Sequence, residues 1–311
     1  MTANILQLCP LMPALEKALN ERFTVHRFFE AGDPDEFLAE HAERLRGVVT
    51  GGHIGIPAEL AARLPALEIV AINGVGFDKV DLAEAKRRGV RVSNTPDVLT
   101  EDVADLAIGL IVSALRQIPR GHEHVRAGRW PSGDLALGSK VSRRRYGIFG
   151  FGRIGQAIAR RLEGFDAEIA YASRSAVDTP YPRFDSVADL AEWADVLVVA
   201  ASASPETRNI IDAQVLDALG PKGVLVNVAR GSLVDESALL DALEQGRIAG
   251  AALDVFADEP RVPERFFTLS NVVLTPHMAS ATHETRQAMA DLVLANLDAH
   301  FAGREMPTAL V

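Results

Sequence analysis

Gly150-Phe151-Gly152-Arg153-Ile154-Gly155 directly follows the apolar run Tyr146–Phe149 and opens the amphipathic stretch Ile154–Leu162. Three glycines at that spacing, between a strand and a helix, leave few folds open. Gly150 allows a tight turn, Gly152 lets backbone approach a pyrophosphate, and Gly155 lets the helix pack close to the strand. The start of such a helix adds N–H groups and the positive end of a dipole, both of which favour phosphate. The run therefore points to a dinucleotide-binding βαβ unit in the middle of the chain. A glycine-rich turn in an ordinary βα unit is the plainer reading, and the strand before and helix after argue against it.

The same alternation extends in both directions. Before the glycine run, strand candidates are Asn4–Leu8, Thr24–Phe28, Gly47–Thr50, Glu68–Ile72 and Val90–Ser93, with helical stretches at Leu11–Asn20 and Asp33–Arg46. Glu101–Gln117 reads as a long helix, with Val103, Leu106, Ala107, Leu110, Ile111, Ala114 and Leu115 on one stripe. A stretch with Gly, Pro and Trp follows from Gly121 to Gly138. Six further strand candidates are Arg145–Phe149, Glu168–Ala172, Val196–Ala200, Val224–Val228, Ala251–Val255 and Val272–Thr275, and Thr282–Phe301 reads as a last helix. Strands alternating with helices give an α/β fold of doubly wound parallel sheets. With 311 residues, two such domains with a cleft between them are expected.

Charge and composition remove several classes of function. Lys and Arg number 32 against 42 Asp and Glu, so the chain is acidic and a poor nucleic-acid binder. Lys86-Arg87-Arg88 and Arg143-Arg144-Arg145 are short basic clusters beside turns and read as solvated charge. No apolar run reaches the roughly 18 residues of a membrane span. The single cysteine, Cys9, rules out a disulfide framework and a Cys-based zinc site, and no metal is expected. With no secretory signal pattern at the N-terminus, a reducing cytoplasm is the expected compartment.

The end of the second strand of the central series bears on the cofactor. An NAD site usually places Asp or Glu there to hold the ribose 2′-OH. Here the strand runs into Ser173-Arg174-Ser175. Two hydroxyls and a guanidinium suit a 2′-phosphate, so NADP(H) is expected; the plainer alternative is a polar loop with a solvated Arg. Three later segments also end strand candidates: Asn227–Gly231 with Arg230, Asp254–Pro260 with Glu259, and Thr275-Pro276-His277. Ligands of open α/β sheets bind outside the carboxyl ends of the strands, so Arg, Glu and His delivered there form an anion-binding acid/base group. Taken singly, a surface charge, a loop acid and a turn histidine are the better readings; the shared location is what favours a common site.

These segments, with Gly74-Val75-Gly76-Phe77-Asp78-Lys79-Val80-Asp81 and Asn94-Thr95-Pro96-Asp97-Val98-Leu99-Thr100, resemble the D-isomer-specific 2-hydroxyacid dehydrogenase family nearly end to end. Ser173–Ser175 and Leu274–Arg286 are most similar to its glyoxylate/hydroxypyruvate reductase branch, including the plant-type hydroxyphenylpyruvate reductases. The resemblance implies NADPH-dependent reduction of a small 2-oxoacid to the D-2-hydroxyacid. It implies a flavodoxin-like substrate domain, 1–99 plus 288–311, and a Rossmann cofactor domain, 100–287. Arg230 matches the arginine that binds the substrate carboxylate and keto oxygen, His277 the general acid/base, and Glu259 its hydrogen-bonded carboxylate. Val75 and Gly76 match the loop whose N–H groups hold the carboxylate. Asp254 matches a residue near the nicotinamide carboxamide. The cofactor set carried over is Gly150, Gly152, Arg153, Ile154, Gly155, Ser173, Arg174, Ser175, Ala201, Val228 and Asp254. A homodimer is implied, joined through the cofactor domains and an arm around Gly121–Gly138. Some relatives carry a second aromatic after the residue matching Trp130; here Pro131-Ser132-Gly133-Asp134 follows. The substrate stays open among glyoxylate, hydroxypyruvate, an aryl-pyruvate and a sugar-acid keto form. A dinucleotide-sensing scaffold on the same fold is the rival reading.

Overall fold

Short apolar runs supply the strands of two separate sheets in the computed structural model, which describes residues 2–311. The chain divides into two compact units, the residues up to Leu99 with Ser280–Val311, and Thr100–Ala279. The return crossing thus falls ahead of the last helix, His283–Phe301, instead of within it.

In the first unit the strands are β1 (Asn4–Gln7), β2 (Thr24–Arg27), β3 (Leu45–Gly51), β4 (Ile69–Asn73) and β5 (Arg91–Ser93). They pair in parallel in the order β2-β1-β3-β4-β5, the flavodoxin-like order. Successive side chains on a strand face opposite ways, and both faces are buried here. Leu6, Val48 and Val70 pack with Leu60 and Leu64 on one side. Ile5, Val49 and Ile69 pack with Leu15, Leu19, Val293 and Leu297 on the other. The helix expected over Asp33–Arg46 runs only over Pro34–His41, capped by the Asp33 carboxylate. A 3-10 turn follows, and Leu45 enters β3 opposite Asn4, fully buried. Burial of that leucine in the sheet outweighs the helical propensity of the residues around it.

His26 on β2 faces Asn4, at 2.9 Å from its Oδ1, and its ring lies 4.5 Å from that of His41. Burial, then the neighbouring His41 and Arg44, hold its pKa below the ordinary imidazole value. His300 is likewise lowered, by burial above all. A depressed folded pKa means that the unfolded chain takes up the proton first. Stability is therefore full above the unfolded value of about 6.5 and falls as pH drops through the folded pKa. Thermal melts at pH 7.5 and pH 5 are expected to differ less for His26→Gln than for wild type; equal differences would exclude this contribution.

In the second unit the strands are β6 (Arg145–Phe149), β7 (Glu168–Ala172), β8 (Arg183–Phe184), β9 (Val196–Val199), β10 (Val224–Asn227), β11 (Gly250–Leu253) and β12 (Val272–Leu274). All pair in parallel, in the order β12-β11-β10-β9-β6-β7-β8. The two-residue β8 is too short to register as a period in the sequence. Chain progression reverses at β6, which has β7 on one side and β9 on the other. That is the switch point at which doubly wound sheets bind ligands, and the glycine run lies directly above it. Helix Thr100–Leu115 buries Val103, Ala104, Ala107, Leu110, Ile111 and Leu115, while Leu106 and Ala114 of the expected stripe are half-buried.

The Gly121–Gly138 stretch is partly helical, because a helix spans Ile118–Arg126 and a 3-10 turn spans Trp130–Ser132. Ile118, Val125, Trp130 and Leu137 are all exposed along it, Leu137 at 97%. Among the described residues, no helix is long and apolar enough to cross a membrane.

Candidate active site

Constraint builds the turn above β6. Gly150 has φ +94°, and a Cβ there would lie 2.3 Å from Ala201 Cα. A Cβ on Gly155 would lie 2.1 Å from the Gly150 carbonyl oxygen. Gly152 differs: its Cβ would meet nothing within 4 Å. Gly150 and Gly155 are therefore required by packing within the protein, and Gly152 leaves backbone open to an incoming group. Helix Arg153–Glu163 starts at Gly152, with no side-chain cap among the described residues. Its first N–H groups, Ile154's included, offer an anion site, with Arg153 exposed beside them. A dinucleotide pyrophosphate fits this turn.

Beyond β7, the Ser173 hydroxyl donates to the Ser175 carbonyl at 2.5 Å, and Arg174 is exposed. Arg183, on β8, donates to the Ser173 carbonyl at 3.1 and 3.3 Å. It brings a second guanidinium to the turn, which sequence reasoning missed because the two positions are ten residues apart. Glu206 also lies close. The Ser204 hydroxyl, its own backbone N–H and then the Arg174 charge hold its carboxyl below the usual range.

The segments after β10, β11 and β12 come together at one end of the sheet. Buried Asn227 shapes the first: its Oδ1 accepts from Ala229 N at 3.0 Å and its Nδ2 donates to the Arg230 carbonyl at 2.9 Å. Val228 is buried within that bend. Arg230 is half-buried and donates to the Ala229 carbonyl at 2.7 Å. The next residue, Gly231, could hold no side chain, because a Cβ would lie 1.9 Å from the Phe256 carbonyl carbon. That close approach seats the Arg230 segment on the loop that carries Glu259.

Glu259 uses both carboxylate oxygens. Oε1 accepts from Phe256 N at 3.0 Å, and Oε2 lies 2.6 Å from His277 Nδ1. His277 has φ +49°, a left-handed conformation that costs a non-glycine residue of order 1–3 kcal/mol. Asp254 holds it there. The Asp254 carbonyl accepts from His277 N at 2.8 Å, and its carboxylate accepts from Met278 N, Ala279 N and the Thr275 hydroxyl. Burial pushes the Asp254 carboxyl up, while those three hydrogen bonds and His277 pull it down. Both Asp254 oxygens, expected near a nicotinamide, are thus engaged by the His277 turn. Nδ1 is thus the ring nitrogen that meets Glu259, and Nε2 lies on the other edge of the ring.

In the first unit, Asn94 Nδ2 donates to the Val75 carbonyl at 2.8 Å, and Thr95 N donates to the Gly74 carbonyl at 2.9 Å. C=O and N–H of one trans peptide point opposite ways. Fixing the Val75 carbonyl therefore aims the Gly76 N–H away from Asn94.

The family model described as "D-isomer specific 2-hydroxyacid dehydrogenase, NAD binding domain" matches residues 108–279. The hydroxyphenylpyruvate reductase of Plectranthus scutellarioides is 52% identical over 308 residues, covering 99% of this chain and 98% of the relative. Glyoxylate/hydroxypyruvate reductase A of Arabidopsis thaliana is 50% identical with the same coverage. A solved structure of the NADPH-dependent glyoxylate/hydroxypyruvate reductase of Sinorhizobium meliloti, in complex with NADP and malonate, superposes with a TM-score of 0.93. It is 44% identical, covering 100% of this chain and 97% of that one.

Proposed function

The chain belongs to the D-isomer-specific 2-hydroxyacid dehydrogenase family, and from that premise we propose that it reduces a small 2-oxoacid to the D-2-hydroxyacid with NADPH. The observation that carries the reading is the Glu259–His277 hydrogen bond, held beside the segment that bears Arg230. The bound nicotinamide supplies the hydride. Arg230 clamps the substrate carboxylate and polarises the keto oxygen. Nε2 of His277 gives its proton to the keto oxygen as negative charge develops there. Glu259 fixes the ring and stabilises it while charged. A dinucleotide-sensing scaffold would need none of these contacts, and the relatives just described are named reductases.

The pyrophosphate is assigned to Gly150, Gly152, Arg153, Ile154 and Gly155, with Ala201, Val228 and Asp254 along the rest of the dinucleotide. Ser173, Arg174 and Ser175 are assigned to the 2′-phosphate. A carboxylate at that turn would repel the phosphate, whereas a guanidinium offers charge-assisted hydrogen bonds of roughly 1.5–3 kcal/mol. We expect kcat/KM to favour NADPH over NADH by about ten- to a hundredfold, and Ser173→Asp with Arg174→Ala to reverse the preference. The test is one panel of glyoxylate, hydroxypyruvate, an aryl-pyruvate and a 2-keto sugar acid, each with both cofactors. No turnover on any of the four acids would overturn the activity, and NADH equal to or better than NADPH would overturn the assignment of the turn.

The exposed apolar residues Ile118, Val125, Trp130 and Leu137 support a homodimer formed through this arm. Trp130 donates to Asp134 at 3.0 Å within its own chain, which fits a packing role. Sedimentation should give a dimer, and Val125→Glu with Leu137→Glu should give monomers; a wild-type monomer at micromolar concentration would refute it. The cytoplasm is the assigned compartment, supported by the buried free thiol of Cys9. Cell fractionation that finds the activity elsewhere would overturn that.

A further inference from the structure

Glu236 lies between the two segments that carry the chemistry and has no role in the reading above. It is the first residue of the helix Glu236–Glu244, a few residues past Arg230, and is half-buried. Its Oε1 accepts from Ala257 N at 2.7 Å. The Phe256–Ala257 peptide is also the group that Gly231 packs against, since a Cβ on Gly231 would lie 2.1 Å from the Phe256 oxygen and 2.4 Å from Ala257 N. The adjacent Phe256 N–H donates to Glu259 at 3.0 Å. One short stretch of backbone is therefore held by Gly231, by Glu236 and by Glu259, the residue that meets His277.

We propose that Glu236 is a positioning residue that acts through Glu259, fixing the Phe256–Ala257 peptide so that Glu259 stays in register with His277. The proposal rests on the assignment of His277 as the proton donor. The carboxylate is placed there at a cost. Burial pushes the Glu236 carboxyl up, and the nearby Asp258 and Glu259 push it further, against the Ala257 N–H that pulls it down. A surface acid with only a helix-terminal role would have no need of that position. What the geometry demands is an acceptor at the right reach, not a full negative charge.

Three substitutions separate these features. Glu236→Gln keeps the reach and the acceptor oxygen, and should keep kcat within about threefold of wild type. Glu236→Ala removes the acceptor, and Glu236→Asp keeps an acid at the helix start but withdraws it by one methylene. Both should lower kcat about tenfold while leaving the KM for NADPH unchanged. Should the alanine variant fail to fold, the Asp variant carries the test. A Gln variant as impaired as Ala and Asp, or Ala and Asp variants with wild-type kcat, would overturn the proposal. A double-mutant cycle supplies the control. With Glu259→Gln in place, Glu236→Asp should add less than about twofold, and a full second loss would mean that Glu236 does not act through Glu259. If Glu259→Gln alone leaves kcat unchanged, the acid/base reading itself fails, a result distinct from failure of the Glu236 proposal.

Discussion

Replacing His277 with alanine should lower kcat for 2-oxoacid reduction by on the order of 10²–10⁴, with little change in NADPH affinity. The keto oxygen becomes an alkoxide as hydride arrives, and it needs a proton within hydrogen-bond reach at that moment. Imidazole can supply it near neutral pH. The geometry leaves little freedom in how it does so. Nδ1 faces Glu259 at 2.6 Å, and the left-handed backbone of His277 is tied to Asp254 at the carbonyl and, through the next two residues, at the carboxylate. Alanine removes the donor and leaves this frame nearly intact, so the loss should appear in turnover and not in folding. Steady-state kinetics with a tight-binding check of NADPH by nicotinamide fluorescence would measure both. A variant turning over at near the wild-type rate would remove His277 from the mechanism.

Arg230→Lys should lower kcat/KM by about 10²–10⁴, as expected if two charge-assisted hydrogen bonds, each about 1.5–3 kcal/mol, are lost from the clamp. Lysine keeps the charge but is a point donor and cannot copy a planar fork. The segment also resists adjustment. Asn227 bonds to Ala229 and to the Arg230 carbonyl, and Gly231 is wedged against Phe256, so a shorter or differently shaped head group cannot be re-aimed by shifting backbone. The same reasoning requires a carboxylate on the substrate. Pyruvate-like acids should far exceed their methyl ketone analogues, and equal efficiency on the two would refute the clamp.

The parts of this site that were legible beforehand are those where local chemistry allows few substitutes. Gly150 and Gly155 stand where any Cβ would collide with backbone, and a strand-glycine-helix run advertises that need. Arg230, Glu259 and His277 each lie in the segment that follows an apolar strand, so a parallel sheet delivers those segments to one end. Less visible were features that depend on tertiary contacts. Leu45 left a helical pattern for the sheet because its burial there is complete. The helix Ile118–Arg126 contains Pro119 and Gly121 and buries none of its residues, so it lacks the apolar stripe that marks a helix in sequence. Arg183 reaches Ser173 from a strand of only two residues, and Glu236 reaches Ala257 across 21 positions. Residue spacing does not encode such contacts; the fold creates them.

The discontinuous first unit also sets an order of events during synthesis. Met289, Val293, Leu294 and Leu297 share a core with Ile5, Leu15, Leu19 and Ile69, and Leu310 N donates to the Val92 carbonyl at 2.7 Å. The N-terminal residues leave the ribosome first, yet one face of their sheet, which Leu15 and Leu19 cover only in part, is completed by the helix His283–Phe301 when Ser280–Val311 is made. Thr100–Ala279 is continuous and holds all of its own strands once Ala279 emerges. At roughly 5–20 residues per second, the remaining stretch takes about 2–6 s to translate. For that interval the nascent chain carries all of the central unit's strands and, upstream of them, a sheet face still missing the apolar side chains of Met289, Val293, Leu294 and Leu297.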